Sequence, residues 1–135
     1  MSRHHLFNPD DMAPAAGFSY GAVAAEGRTL HIAGLTGHRR DLSIDEGIVD
    51  QFSAACRAVA SVIEEAGGEP TDLVSMTIYT PAIEEYRQHL EEIGAAYRIV
   101  FGKHYPPMAL LGISELLDPK ALVELMCVAV VPTAP

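Results

Sequence analysis

Between residues 45 and 66 the apolar positions recur every three or four residues. Val49, Phe52, Cys56, Val59, Ile63 and Ala66 draw one stripe down one face. That spacing predicts a helix from about Asp45 to Ala66. Gly67-Gly68 stop it, and Pro70 prevents its resumption. From Leu73 to Tyr79 the period drops to two. Val74, Met76 and Ile78 alternate with Ser75, Thr77 and Tyr79, which predicts a strand. A second helix is expected from Thr80-Pro81 to Phe101, with Tyr86, Leu90, Ile93, Tyr97 and Phe101 on its apolar face and Gly102 at its end. Pro81 suits the first helical position, whose N–H has no intrahelical partner. Glu84 and Glu85 suit the helix dipole. Gly94 in mid-helix costs about 1 kcal/mol relative to alanine, which suggests close packing or space kept for a ligand.

Upstream, Tyr20 to Ala25 and Thr29 to Leu35 read as two strands joined by a hairpin turn at Glu26-Gly27-Arg28. Residues 1–16 form an irregular N-terminal arm, and Thr36 to Gly47 a polar loop. Two further strands follow, about Met108 to Ser114 and Ala121 to Val131, linked by a turn at Leu117-Asp118-Pro119-Lys120. The order β-β-α-β-α-β-β predicts an α+β fold, with one mixed sheet and two helices packed on one face. Residues 1–135 are enough for a single domain.

The last strand poses a problem. Ala121 to Val131 is apolar at every position except Glu124. A strand apolar on both sides needs cover on both sheet faces, and two helices cover only one. The other face would be a large apolar patch unless another subunit buries it. The pattern therefore predicts a homo-oligomer, for which a closed ring is one solution.

Composition narrows the function classes. Hydrophobic residues make up 49% and charged residues 20%, as in a folded domain. The net charge of −9 carries no footprint for nucleic acid or an anionic membrane. No apolar run is long enough for a membrane span. Met1 to Asp11 has no apolar signal core, so a cytoplasmic protein is expected. Cys56 and Cys127 are isolated thiols in apolar surroundings, expected to be buried and inert. The six histidines form no metal-binding motif, and no nucleotide-binding or nucleophile-elbow motif is present. We expect no metal and no cofactor.

The candidate chemistry is sparse. Glu124 is the lone charge in its strand. Buried there, a carboxylate is costly unless paired, and such surroundings poise a carboxyl as acid or base. The alternative is a strand-end residue with its head in solvent. His104-Tyr105-Pro106-Pro107-Met108 is either a stiff connector or a pocket wall supplying an imidazole and a phenol. Arg98, beside Tyr97, either favours the helix C-terminus or clamps an anion. Ser19-Tyr20 is a weaker candidate. His38-Arg39-Arg40 reads as a solvated basic turn and Gln51 as a surface residue.

From about Ala16 to Pro132 the chain resembles the Rid family (RidA/YjgF, reactive intermediate deaminases, also called L-PSP endoribonuclease-like). The resemblance lies in GFSYGAV at 17–23, HIAGLTG at 31–37 and Gln51 at the opening of the first helix. It continues in EEAGGEPTDLVSMTIY at 64–79, YPPMALLGI at 105–113 and VELMCVAV at 123–130. It implies a chorismate-mutase-like fold that assembles as a homotrimer around a central sheet barrel, with small-molecule pockets between subunits. RidA itself hydrolyses 2-imino acids and the enamines that tautomerise to them, releasing ammonia. Its carboxylate-binding arginine corresponds here to Met108. Losing a buried guanidinium–carboxylate pair costs about 3–5 kcal/mol. The family's tyrosine falls on Ser19, with Tyr20 next to it, its cysteine on Leu110 and its helix-two asparagine on Gly94. Glu124 matches the glutamate that handles water. The chain thus looks like an arginine-lacking subgroup.

The resemblance leads to a Rid-like hydrolase acting on a small imine, enamine or related metabolite. Glu124 would be catalytic. Ser19, Tyr20, Gly34, Leu35, Tyr97, His104, Tyr105, Met108 and Leu110 would line the pocket. Met108 and Leu110 favour an uncharged or aromatic ligand. The alternative is a non-catalytic trimeric binder on the same scaffold. A ribonuclease is disfavoured, because phosphate contacts need basic residues that an acidic chain lacks.

Overall fold

The computed structural model describes residues 2–134. Its elements are β1 (His5–Phe7), β2 (Gly21–Val23), β3 (Arg28–Leu35), α1 (Ile48–Glu65), β4 (Leu73–Thr80), α2 (Ile83–Gln88), α3 (Leu90–Phe101), β5 (Met108–Gly112) and β6 (Glu124–Val131). This is the expected α+β architecture. The main sheet has the order β3-β6-β4-β5. β6 runs antiparallel to both neighbours, and β5 runs parallel to β4.

α1 keeps its predicted stripe. Phe52, Cys56, Val59 and Ile63 are buried against the sheet. Gly67, at φ 89°, ends it as a left-handed cap. The Gly67 N–H donates to the Glu64 carbonyl and the Gly68 N–H to that of Ile63, so two end carbonyls are satisfied. Gly68 has no room for a side chain, since a β-carbon there would stand 2.5 Å from a Val131 methyl.

The second helix departs from expectation. It begins at Ile83, not at Pro81, because the Thr80 hydroxyl accepts the Ala82 N–H and donates to the Leu122 carbonyl, fixing a turn. It also breaks at His89. The His89 Nδ1–H donates to the Glu85 carbonyl, the acceptor that the His89 backbone N–H would use in a continuous helix. That N–H donates to Tyr86 instead, and α3 restarts one residue later.

The expected hairpin between the first strands does not form. β3 pairs with β6, and β2 pairs with β1, inside what the sequence presents as an irregular arm. The long apolar β6 offers β3 a far larger paired surface than the three-residue β2 can. The arm is tied down by two side chains. Arg3 bonds the Asp72 carboxylate and the Val130 carbonyl. His4 accepts the Ala25 N–H at Nδ1 and donates from Nε2 to the carbonyls of Asp72 and Val130. The last two strands are shorter than predicted, ending at Gly112 and starting at Glu124.

Both main helices lie on one side of the sheet. Leu125, Cys127, Ala129 and Val131 of β6 point into that core. The alternate residues face away, and Met126 is 48% exposed with Leu111 of β5 at 45%. The apolar second face predicted from the sequence is therefore present.

Candidate functional site

The sheet register separates the candidate residues. Met108 pairs with Met76 and Leu110 with Ile78, which puts both on the helix side of edge strand β5. Glu124 pairs with Tyr79, on the side that no helix covers. Between Ile32 and Leu35 the β3 register slips, which re-aims the strand at Gly34. A β-carbon on Gly34 would lie 2.8 Å from Glu124 Oε2, so the bare backbone passes directly over the carboxylate. Leu35, by contrast, pairs with Leu125 and packs on the core. Glu124 itself is half-buried at the start of its strand.

On the helix side, Met108 opens onto a cavity of about 440 Å³ between the sheet edge and α3. Tyr97 and Tyr105, stacked with centroids 5.7 Å apart, form one wall. Gly94 and Arg98 form another. The Tyr97 hydroxyl is not available to a ligand, because it donates to the His104 carbonyl at 2.5 Å. Burial drives its pKa well above the usual phenol range. Tyr86, also in the wall, is pushed up to about 12 by burial.

His104 lies behind this wall. It is buried, and its Nε2–H donates to the Leu73 carbonyl at 2.7 Å. Desolvation lowers its pKa, which keeps the imidazole neutral. Its position matches the stiff-connector alternative. Ser19 is buried beside the same connector, its N–H directed at the Pro106 carbonyl. Tyr20 is half-buried, packs edge-on against Phe18 and receives the Asn8 side-chain oxygen at its N–H. A larger cavity, about 600 Å³, lies between the arm and the end of α3. Its two buried imidazoles, His4 and His104, are both engaged with backbone groups.

The single chain thus brings Tyr97, Tyr105 and Met108 together on one side and Glu124 with Gly34 on the other. Tyr79, opposite Glu124, is a neighbour that strand alternation alone could not reveal, because the pairing of β4 with β6 is non-local.

Two further readings change. Gln51 is fully buried, not on the surface. Its amide nitrogen donates to the carbonyls of Asp45 and Lys120, and its oxygen accepts the Leu122 N–H. It locks the long loop to the segment entering β6, which sets where Glu124 begins. His38 is not simply solvated either. It links the Thr36 hydroxyl to the Asp118 carboxylate, 2.7 Å from Nε2. Bonds from the Lys120 N–H and His38 hold the Asp118 pKa below the usual carboxylate value. Arg39 pairs with Asp45.

Both cysteines are buried. Burial raises the Cys127 thiol to about 12 and Cys56 further, so neither offers a thiolate. Among the described residues no helix is long and apolar enough to cross a membrane.

The model of the endoribonuclease L-PSP family matches residues 9–131. The chain belongs to this family, also known as Rid or YjgF. A Rid-family protein of unknown function from Yersinia pestis, YyfB, is 26% identical and superposes with a TM-score of 0.81, over 95% of this chain and 98% of its own. A Mycobacterium tuberculosis member of the YjgF/YER057c/UK114 family is 24% identical, with a TM-score of 0.65 over 95% and 99% of the two chains. The yeast protein Mmf1, at 17% identity and a TM-score of 0.66, covers 93% of this Rid chain and 92% of its own. The last two likenesses concern the fold. No curated protein sequence matches the chain.

Proposed function

We propose that this Rid-family protein is a hydrolase for a small imine, enamine or related metabolite, working in a pocket formed between subunits of a homotrimer. The observation that carries the reading is the placement of Glu124. Its carboxylate lies on the open sheet face under the bare backbone of Gly34, while the Met108 cavity lies on the opposite face. Within one chain the two cannot share a substrate. A second copy packed on the apolar open face would cover Glu124 and Gly34, so the pocket that uses this carboxylate is one completed between copies.

In that site Glu124 accepts a proton from water as the water oxygen bonds to the imine carbon. The carboxyl returns that proton to nitrogen, giving a carbinolamine; the hydroxyl proton then passes to nitrogen through the same carboxylate as the carbon–nitrogen bond breaks, and ammonia leaves a carbonyl product. Ser19, Tyr20, Leu35, His104 and Leu110 complete or support the pocket. Met108 at the position that the resemblance gives to the carboxylate-binding arginine supports reading the chain as one of an arginine-lacking subgroup. A cytoplasmic location goes with this reading. The chain's acidity, −9 overall, argues against ribonuclease activity despite the family name.

The test is ammonia release from a panel of imines and enamines. Turnover is expected on a member with an apolar body and to be weak on 2-iminopropionate. Glu124→Gln should remove most of it, about a hundredfold or more. Retained turnover would take Glu124 out of the mechanism. A non-catalytic trimeric binder is the second reading, favoured by Met108 in the arginine position. Ligand binding without turnover on any imine would select it.

A further inference from the structure

We propose that Thr36, His38 and Asp118 form a second reactive site, in which the Thr36 hydroxyl is a nucleophile toward small carboxylic esters. The site uses none of the residues assigned to imine hydrolysis and does not depend on that reading.

The three side chains make one chain of hydrogen bonds. His38 Nε2 lies 2.7 Å from Asp118 Oδ2, and His38 Nδ1 meets the Thr36 hydroxyl. Chemistry settles which group donates. Asp118 is kept ionised by its hydrogen bonds, so its oxygens only accept, and Nε2 carries the ring proton. Nδ1 of the neutral ring is then the acceptor, and the Thr36 O–H donates to it. The order is hydroxyl, base, orienting carboxylate, which is the arrangement that activates a hydroxyl nucleophile. Among the described residues, His38 is the one histidine bonded to side chains at both ring nitrogens. The ring bonds of His4, His89 and His104 all go to backbone groups.

The surrounding fold holds this relay in place. Asp118 Oδ1 accepts the Lys120 N–H at 2.9 Å, which fixes the carboxylate. Gly37, between Thr36 and His38, is buried against the start of α1, where a β-carbon would lie 2.7 Å from the Gln51 carbonyl oxygen. The Gln51 side chain holds the Lys120 carbonyl, two residues beyond Asp118. One buried residue therefore braces both ends of the relay. The relay is still reachable from solvent, with the side chains of His38 and Asp118 24% and 36% exposed and Thr36 half-buried. The branched β-carbon of threonine crowds its oxygen, which limits the acyl group to a small one such as acetyl.

In the reaction, His38 Nδ1 takes the Thr36 proton as Oγ1 bonds to the ester carbonyl carbon. That proton passes to the departing alkoxide oxygen as its bond to carbon breaks, which leaves an acyl-threonine. Water then attacks the acyl carbon and gives a proton to the same nitrogen. The proton returns to Oγ1 as the carboxylic acid leaves.

The intact protein is tested with p-nitrophenyl acetate, whose cleavage releases a coloured phenolate, and with an alkyl fluorophosphonate, which traps the nucleophile as its oxygen displaces fluoride from phosphorus. Peptide mass spectrometry should place the phosphonyl group on Thr36. Thr36→Val and His38→Gln should each slow phenolate release about tenfold or more. Asp118→Asn should slow it as well, and Thr36→Ser should keep both reactions. Ser61→Ala, which removes an exposed hydroxyl from α1, should change neither. A phosphonyl group found elsewhere or nowhere on the parent protein would overturn the proposal, as would labelling of Thr36 that is equally fast in a folded His38→Gln protein. The position of the label is read on the parent chain, so a variant that fails to fold does not blunt the test. The role of Glu124 stands or falls separately, on its ammonia-release assay.

Discussion

Gly34 leaves no space above the Glu124 carboxylate: a β-carbon there would stand 2.8 Å from Oε2 and 2.9 Å from Cδ. The obstacle is the far end of a flexible side chain, so Gly34→Ala should fold with a melting temperature lowered by only a few degrees. It should nevertheless swing Glu124 aside. Hydrolysis of whichever imine the parent protein turns over should fall about tenfold or more. Full turnover in a folded Gly34→Ala protein would show that the close approach does not position the carboxylate.

The open sheet face makes an assembly prediction. Met126 and Leu111 expose apolar surface at the face's centre and edge strand. Light scattering at micromolar concentration should give three times the chain mass. Met126→Lys should yield monomers with an unchanged far-ultraviolet spectrum, because the residue touches none of the helix-side core. A parent protein that is already monomeric would remove the pocket between copies.

Gln51 makes three hydrogen bonds from full burial. Gln51→Met keeps the volume and leaves the Leu122 N–H and two carbonyls without partners. The expected loss is about 2–4 kcal/mol, read from urea unfolding. A loss below about 0.5 kcal/mol would mean that water replaces the amide.

His104 predicts a pH dependence. Burial lowers its folded-state pKa below the usual 6.5. Between those two values the unfolded chain binds the extra proton, so stability falls as pH drops through about 6.5 and is retained above it. His104→Gln can still donate toward the Leu73 carbonyl but does not titrate. Its melting temperature should fall less between about pH 7.5 and about pH 5.5 than the parent's does. Equal falls would assign the acid sensitivity to other groups.

Local pattern was enough to place much of the fold. The α1 stripe, its Gly67-Gly68 stop, the alternation in β4 and the doubly apolar last strand all concern neighbours within a few residues, where backbone periodicity dictates which side faces the core. It missed what depends on competition. The Glu26-Gly27-Arg28 turn is compatible with a hairpin, yet β3 goes to β6. His89 breaks a helix whose apolar stripe runs straight through it. Gln51, polar and early in its helix, has no local sign of burial, because its partners Lys120 and Leu122 lie far along the chain.

The candidate site divides in the same way. The sequence by itself determined which side chains exist to do chemistry: one carboxylate in an apolar strand, a methionine between that strand and the second helix, and a glycine and an arginine one helical turn apart. Only the tertiary structure decided that Glu124 and Met108 face opposite sides of the sheet, and that Gln51 reaches the backbone of Lys120 and Leu122. Those relations are set by strand register and by packing between distant segments, and a period of two or 3.6 residues carries no information about either.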